Sequence, residues 1–353
     1  MATLYVTEQG ARIEKEYKRL LVTLEGEVIQ SVPLRSLTEV VLVGTCGATT
    51  QAMLSLLDED IGLTFISQAG KLRGRLRPAS TTGLELRLKQ YARQKENDFC
   101  LNVARNIALG KIKNYRTMAR RIICAQHKNK NRSLIKFLIP NENSSRISEA
   151  EKTMQQLNEI ITQLEMAESI DILRGLEGMG SKLYFSIYRA GLRWEGDKGF
   201  VRRQRRPPKD PINALLGFGY TLLSQSMITA VELAGLDPLA GFMHTNQYGR
   251  PSLALDLMEE FRPIIVDSIV LRMVNQHMIK PGQFDTGEGG RMILSRKGLK
   301  IFFDQYHQRI NTLVIHPRAG RKLTYQKCFE VQASHLRKVI TGEEPAYIPM
   351  TWK

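Results

Sequence analysis

The chain is 353 residues long, 42% hydrophobic and 24% charged, the balance of a folded globular protein with room for two cores. Its 51 lysines and arginines against 35 acids leave a formal net charge of +16, which points to a polyanion as partner. No uninterrupted apolar run approaches bilayer length and residues 1–10 lack the basic and apolar regions of a signal peptide, so a cytoplasmic protein with no membrane contact is expected.

In chain order, the first elements read as strands. Short runs rich in Val, Leu, Ile and Tyr lie at 4–6, 12–17, 20–24, 28–31 and 39–43, punctuated by Gly10, Gly26, Pro33 and Gly44, with Glu25-Gly26 as a hairpin tip. Thr49 or Thr50 caps a short helix to about residue 57. A strand at 63–67, a turn at Gly70 and a basic strand at 71–77 follow. Residues 78–83, Pro-Ala-Ser-Thr-Thr-Gly, have linker composition, and from Leu84 the patterning turns helical. The segment 84–125 predicts two helices or one long bent one. Further helices are predicted at 148–167, 170–188, 212–234, 252–279, 295–314 and 323–340, with Asp210-Pro211 opening the one at 212 and Pro263 kinking the one at 252. The fold class expected is therefore α+β, a small N-terminal β-rich domain (1–80) followed by a larger all-α helical domain (84–353). Cys46, Cys100, Cys124 and Cys328 are scattered and suit neither a disulfide framework nor a zinc site, so they read as buried small hydrophobes.

Charge is unevenly placed. Residues 1–80 hold 9 basic and 9 acidic side chains, so the whole excess lies beyond them. Residues 101–140 carry ten basic residues, among them Lys111, Lys113, Arg116, Arg120 and Arg121, and no acid. A second cluster comprises Arg202, Arg203, Arg205, Arg206 and Lys209. Such clusters serve solubility, an anionic membrane or nucleic acid, and the arginine-rich second one favours phosphate.

Within this basic region, residues 241–263 deliver His244 from a Gly-rich turn to a helix bearing Asp256, Glu259 and Glu260 opposite the apolar stripe Ala254, Leu257, Met258 and Phe261. Pro251-Ser252 opens that helix, with the serine as cap. A solvated acidic face explains the three acids, and so does a metal site, since crowded carboxylates need neutralisation. Gly175, Gly178 and Gly180 interrupt another helix around Glu177. Each costs about 1 kcal/mol against alanine, which suits either close helix packing or room for a metal and a phosphate beside Glu177. Ser181 stands where a P-loop requires lysine, which excludes that reading.

Four motifs occur in order: Gly-x-Glu-Gly at 175–178, Arg-Arg-Pro-Pro-x-Asp-Pro-x-Asn-Ala-Leu-Leu at 205–216, Gly-Phe-x-His at 241–244, and Ser-Leu-Ala-Leu-Asp-Leu-Met-Glu-Glu-Phe-Arg-Pro at 252–263. Together they resemble the CRISPR-associated integrase family Cas-one (Cas1) over essentially the whole chain. The resemblance implies that Glu177, His244 and Glu259 are the catalytic metal ligands for Mg²⁺ or Mn²⁺. Asp256 would be a supporting or alternate ligand, with Tyr220 and Arg262 beside the DNA. It implies a metal-dependent DNA endonuclease/integrase in which a 3′ hydroxyl of a short double-stranded fragment attacks a CRISPR repeat. It further implies a homodimer assembled with the small companion Cas-two (Cas2). The basic side chains, including Arg202, Arg203, Arg205, Arg206 and Lys209, would then hold DNA through phosphates. A non-catalytic DNA-binding scaffold and a phosphodiesterase acting on other nucleic acids remain the competing readings.

Overall fold

The computed structural model describes residues 2–68, 72–78, 83–130, 142–197, 199–204, 207–244 and 247–352. The turn at Gly70, linker residues 79–82, Arg205 and Arg206 lie outside the described residues.

The chain opens with β1 (Ala2–Val6), β2 (Arg12–Glu16), β3 (Arg19–Leu24), β4 (Glu27–Pro33), β5 (Leu37–Val43), β6 (Gly47–Ala48), helix α1 (Thr50–Asp58), β7 (Gly62–Ile66) and β8 (Leu72–Leu76). Glu25 and Gly26 both have positive φ, 52° and 87°, and Leu24 pairs with Glu27. That is the two-residue turn whose twist suits an antiparallel hairpin. β2, β3 and β4 form an antiparallel meander with β6 at its far edge, giving the order β4-β3-β2-β6. A second sheet, β1-β5-β7-β8, is parallel except for β8.

β5 is interior to that sheet, so all of Val40, Val41, Leu42 and Val43 are buried. Its alternation feeds two cores: Val40 and Leu42 join Ile13, Leu20 and Leu56 inside the β region, while Val41 and Val43 join the larger core of the helices. The basic strand β8 spends its charge at the same seam. Arg75 and Arg77 pair with Glu232, at 3.1 and 2.8 Å, and both donate to Thr229. Buried Glu39 accepts from Thr64 at 2.8 Å, and burial pushes its carboxyl up despite the adjacent Arg75 and Arg77.

The second part of the chain contains α2 (Leu84–Arg93), α3 (Asn97–Lys130), α4 (Glu142–Glu165), α5 (Ile170–Gly191), α6 (Pro211–Leu233), α7 (Ser252–Met258), α8 (Ser268–Asn275), α9 (Arg296–Ile310) and α10 (Tyr325–Thr341). The β-rich start followed by a mainly helical remainder is the expected class. The helical part also carries two antiparallel ribbons, β9 (Phe284–Gly287) with β10 (Arg291–Leu294) and β11 (Leu313–Ile315) with β12 (Lys322–Thr324). Left-handed Gly289, Gly290 and Gly320 supply their turns, which a helical periodicity search passes over. The segment 84–125 is two helices, and the helix expected to reach 314 stops at Ile310.

α6 starts as expected, with Asp210 capping the Asn213 N–H at 2.8 Å and Pro211 in the first turn. By length and hydropathy α6 is apolar enough to cross a membrane, but it is interrupted by Asn213, Ser224, Gln225 and Ser226 and 83% of that window is buried in the fold. Two other expectations are corrected. No side chain caps α7, whose cap position is Pro251 rather than Ser252, because the chain enters from a turn in which Ser252 N–H donates to Arg250 O. Cys124 is exposed, being on the outer side of α3, whereas Cys46, Cys100 and Cys328 are buried.

Candidate active site

Four elements converge here: α3, α5, the turn before α7, and the irregular helix after it. α3 is the central helix, packed against α4 and α5. Gly180 and Gly191 allow α5 to lie close to it, since a Cβ at either would meet Ile112 or Ile122 at 2.6 or 2.5 Å. Gly175 and Gly178 are exposed, with nothing within 4 Å of that position, so close packing accounts for Gly180 and not for the other two.

After α7 the helix is not regular. Glu259–Phe261 is a tight 3₁₀ turn and Pro263–Asp267 a wide π turn, so the expected break near Pro263 is a change of winding. Asp256, Glu259 and Glu260 are all buried, which overturns the solvated acidic face. Each finds different partners. Asp256 accepts the backbone N–H groups of Phe242, Met243 and His244 at 2.7, 2.9 and 3.0 Å, and faces His244 Nδ1 at 2.6 Å. Gly241 is required by this cradle, because a Cβ would lie 2.8 Å from Asp256 Oδ2 and from Ser252. Arg174, one turn before Glu177, donates to Met243 O at 2.9 Å and so ties α5 to the same turn.

Glu259 faces three basic side chains. Its Oε1 lies 3.2 Å from Arg262 Nη1 and 3.9 Å from His244 Nε2, and its Oε2 lies 2.5 Å from Lys111 Nζ. Glu177 Oε1 accepts from Ser181 Oγ at 2.8 Å and also holds Lys111 Nζ. The lysine ammonium therefore bridges the two carboxylates. Burial alone would raise both glutamates, but Arg262, Lys111 and His244 bring Glu259 down to about 2, and Lys111 with Ser181 holds Glu177 below the usual carboxylate range. Both are ionised at neutral pH.

Glu260 points the other way. Gln332 Nε2, Tyr347 Oη and the Met350 N–H donate to it at 3.0, 2.9 and 2.9 Å, yet with no facing cation among the described residues burial raises its carboxyl to about 8.

Tyr220 is buried, its hydroxyl donating to Asp267 Oδ1 at 2.6 Å, while Arg262 and Arg203 lie over its ring at 4.7 and 5.2 Å. Tyr184 also donates to Asp267, at 2.9 Å. Arg203 is further tied to Asn213 at 2.7 Å, whereas Arg202 and Lys209 are exposed. The fold thus brings Glu177, His244, Glu259, Asp256 and Arg262 together and sets Tyr220 beneath the arginines.

The donor set fits a hard or borderline divalent cation. Glu177 and Glu259 converge on one cation position, and Glu259 Oε2, buried, makes an ion pair without hydrogen-bond geometry. His244 Nδ1 is held against Asp256, which turns its Nε2 toward Glu259. The side chains as they stand form no preassembled group of three or more ligands among the described residues, because Lys111 is interposed.

The family model described as CRISPR associated protein Cas1 matches residues 4–308. The chain belongs to the Cas1 family. A Cas1 endonuclease of Thermus thermophilus is 32% identical, with 99% of this chain and 97% of that protein covered. One of Chlorobaculum tepidum is 31% identical, with 99% and 98% covered. A Cas4 exonuclease/Cas1 endonuclease fusion of Geobacter sulfurreducens is 33% identical, and the chain covers 59% of its length. Among solved structures, a CAS1 protein of Thermotoga maritima superposes with a TM-score of 0.75 at 20% identity, covering 99% of this chain and all of that one. A casposase bound to integration product superposes at 0.80 and 21%, covering 99% and 93%. These two establish the Cas1 fold.

Sequence reasoning counted Lys111 only among surface-basic residues. Its signal was positional: it stands on α3 in the buried spacing Ala104, Ala108, Lys111, Tyr115, Met118, Ile122, a charge on an apolar stripe. Asn114 on the same helix, buried and bonded to Glu260 O and Met350 O at 2.8 Å each, was missed for the same reason.

Proposed function

We propose that this chain is a metal-dependent DNA endonuclease/integrase that joins short double-stranded DNA fragments to a CRISPR repeat, a fragment's 3′ hydroxyl displacing one strand's backbone oxygen at a phosphodiester. The observation that carries this is the convergence of Glu177 and Glu259 on a single cation position beside His244 Nε2. These three residues would hold Mg²⁺ or Mn²⁺, with Asp256 fixing the imidazole. Such a cation, when bound, supplies Lewis-acid stabilisation of the charge that develops on the phosphate.

The remaining roles belong to the chain's own side chains. Asp256 orients His244 through its ring and its backbone N–H. Arg262, one helical turn beyond Glu259, sits where its guanidinium neutralises that carboxylate and reaches a bound phosphate. Tyr220 supports Arg262 from below rather than meeting DNA with its hydroxyl. Arg202, Arg203 and Lys209, with Arg205 and Arg206, would grip the DNA backbone without regard to sequence, as fragments of arbitrary sequence require.

Residues 1–80 would form the partner-contacting domain, with 78–83 as linker and 84–353 as the catalytic and DNA-binding domain. The outer strand β4 supports that role, since Val28 and Ile29 are exposed on it. The expected assembly is a homodimer with Cas2, a pairing named in a solved Cas6-RT-Cas1–Cas2 complex that this fold matches at a TM-score of 0.79.

The test uses purified protein, Mn²⁺, duplex fragments and a supercoiled plasmid carrying a repeat. Glu177→Gln and His244→Ala are each expected to lower strand joining by about a hundredfold or more while retaining DNA affinity. Unchanged joining by either variant rules the reading out, and cleavage confined to RNA replaces it with a different nuclease.

A further inference from the structure

Two carboxylates buried at one place cannot both remain charged without a cation between them. Glu177 is 19% and Glu259 3% exposed at the side chain, and the group between them is the Lys111 ammonium, itself 3% exposed. Local charge is balanced: Glu177 and Glu259 against Lys111 and Arg262, with Asp256 neutralised by three backbone N–H groups and His244. A divalent ion added to this arrangement would leave an excess of positive charge in a site largely closed to water. The Lys111 Nζ lies 5.4 Å from the centre of the Tyr115 ring, which stacks on Tyr184 at 3.8 Å, so the ring holds the ammonium beside the carboxylates independently of its ion pairs.

We infer that Lys111 is a resident counter-ion of the metal site: its ammonium holds Glu177 and Glu259 converged in the metal-free protein, and it competes with the divalent cation for the same two carboxylates. The inference rests on the assignment of these residues as metal ligands in the proposed function. It assigns a positioning role to a residue that would otherwise count as one more DNA-contacting lysine. Metal loading is then an exchange of one cation for another, so the site opens to metal without carboxylate repulsion having to be overcome first.

The experiment titrates Mn²⁺ alone, by calorimetry, into wild type, Lys111→Met and Glu177→Gln. Lys111→Met is expected to bind Mn²⁺ about tenfold or more tighter than wild type, since a competitor has been removed. Its metal-free form is expected to melt lower, and Mn²⁺ to raise its Tm by more than it raises that of wild type. Equal or weaker Mn²⁺ affinity overturns the inference. Should Lys111→Met fail to fold without metal, acetylation of wild type with mass-spectrometric readout decides instead. Lys111 is expected to be protected in the absence of Mn²⁺ and to label severalfold faster when saturated with it, and unchanged labelling overturns the inference. Glu177→Gln separates the two levels. If it binds Mn²⁺ as wild type does, the ligand assignment fails and the inference falls with it. If it binds weakly while Lys111→Met is unchanged, the lysine inference fails by itself.

Discussion

Asp256 accepts four hydrogen bonds, three from a buried turn and one from the His244 ring, and its removal therefore acts twice. Asp256→Ala leaves three backbone N–H groups unpaired in a buried turn, at a cost of about 3 kcal/mol or more. It also frees the His244 ring, which lowers activity by roughly tenfold to a hundredfold, the usual effect of losing a group that orients a ligand. Urea unfolding and strand joining measured on the same variant check both, and an unaltered unfolding midpoint would show that the turn is held otherwise. In the sequence, Asp256, Glu259 and Glu260 are one acidic face. In the fold they serve the turn, the ion pairs with Lys111 and Arg262, and the contact with α10 in that order, because periodicity gives the phase of a side chain about its own helix and not what surrounds that helix. Asp267 was invisible for a related reason: its partners, Tyr184 and Tyr220, come from α5 and α6. Burial raises the Asp267 carboxyl from 3.8 to about 6, against the pull of both tyrosines, Arg262 and Arg203. Between those values the unfolded chain releases a proton that the folded chain retains, so this group lowers stability as pH rises through that window and has its full effect above about 6. Asp267→Asn lacks the effect, so its stability relative to wild type should improve by up to about 3 kcal/mol from about pH 4 to about pH 7.5. Thermal melts of both proteins at the two pH values measure this, and a constant difference would mean that Asp267 titrates normally.

α5 shows what element-scale reading could and could not separate. Its start, its length and its glycine run were legible, with Ser169 capping the Ile172 N–H at 3.3 Å. Which glycine met a neighbour was not, since that depends on where α3 crosses. Gly180→Ala drives a methyl toward buried Ile112, next to Lys111, and overpacking of about 1–3 kcal/mol outweighs the gain of about 1 kcal/mol in helix propensity. Gly178→Ala meets nothing and should stabilise the fold by up to about 1 kcal/mol. If the exposed helix face at Gly178 receives DNA, the same variant should bind DNA several times more weakly. Opposite signs of the two stability changes, measured by denaturation, are the expected result, and a stabilising Gly180→Ala would place α3 further from α5 than it lies here. The ribbons β9–β10 and β11–β12 escaped detection because three or four residues per strand are too few for an alternation to register, and only their left-handed glycines mark them.

At the scale of the whole molecule the fold is closed by contacts between residues far apart in sequence. β5 supplies both cores from its two faces, and the stretch 347–352 crosses α3 and α10. The first of these was half legible, as an apolar strand with no solvent face; the second was not, because a short irregular segment has no period to read. Pro349 packs on Gly110, where a Cβ would lie 2.5 Å from it, and Thr117 donates to Trp352 O at 3.3 Å. Asn114 receives the Trp352 N–H at 2.6 Å and donates to Met350 O and Glu260 O, while the Met350 N–H donates to Glu260 Oε2. These contacts clamp the residue next to Glu259 from the side away from Lys111. Ending the chain at Pro349 would strip Asn114 of two partners and Glu260 of one, in a region closed to water, at a cost of roughly 2–4 kcal/mol. The basic residues of α3 and of 202–209 are retained, although Arg121 loses its contact with the Trp352 ring at 3.5 Å, so DNA affinity should change little. Strand joining should fall further than stability alone accounts for, since Glu260 becomes free to shift and carries Glu259 with it. Melting temperature, DNA affinity and joining measured on the shortened chain separate these outcomes: a parallel fall in all three would reduce the segment to a general brace, and a selective loss of joining identifies it as the back wall of the Glu259 site.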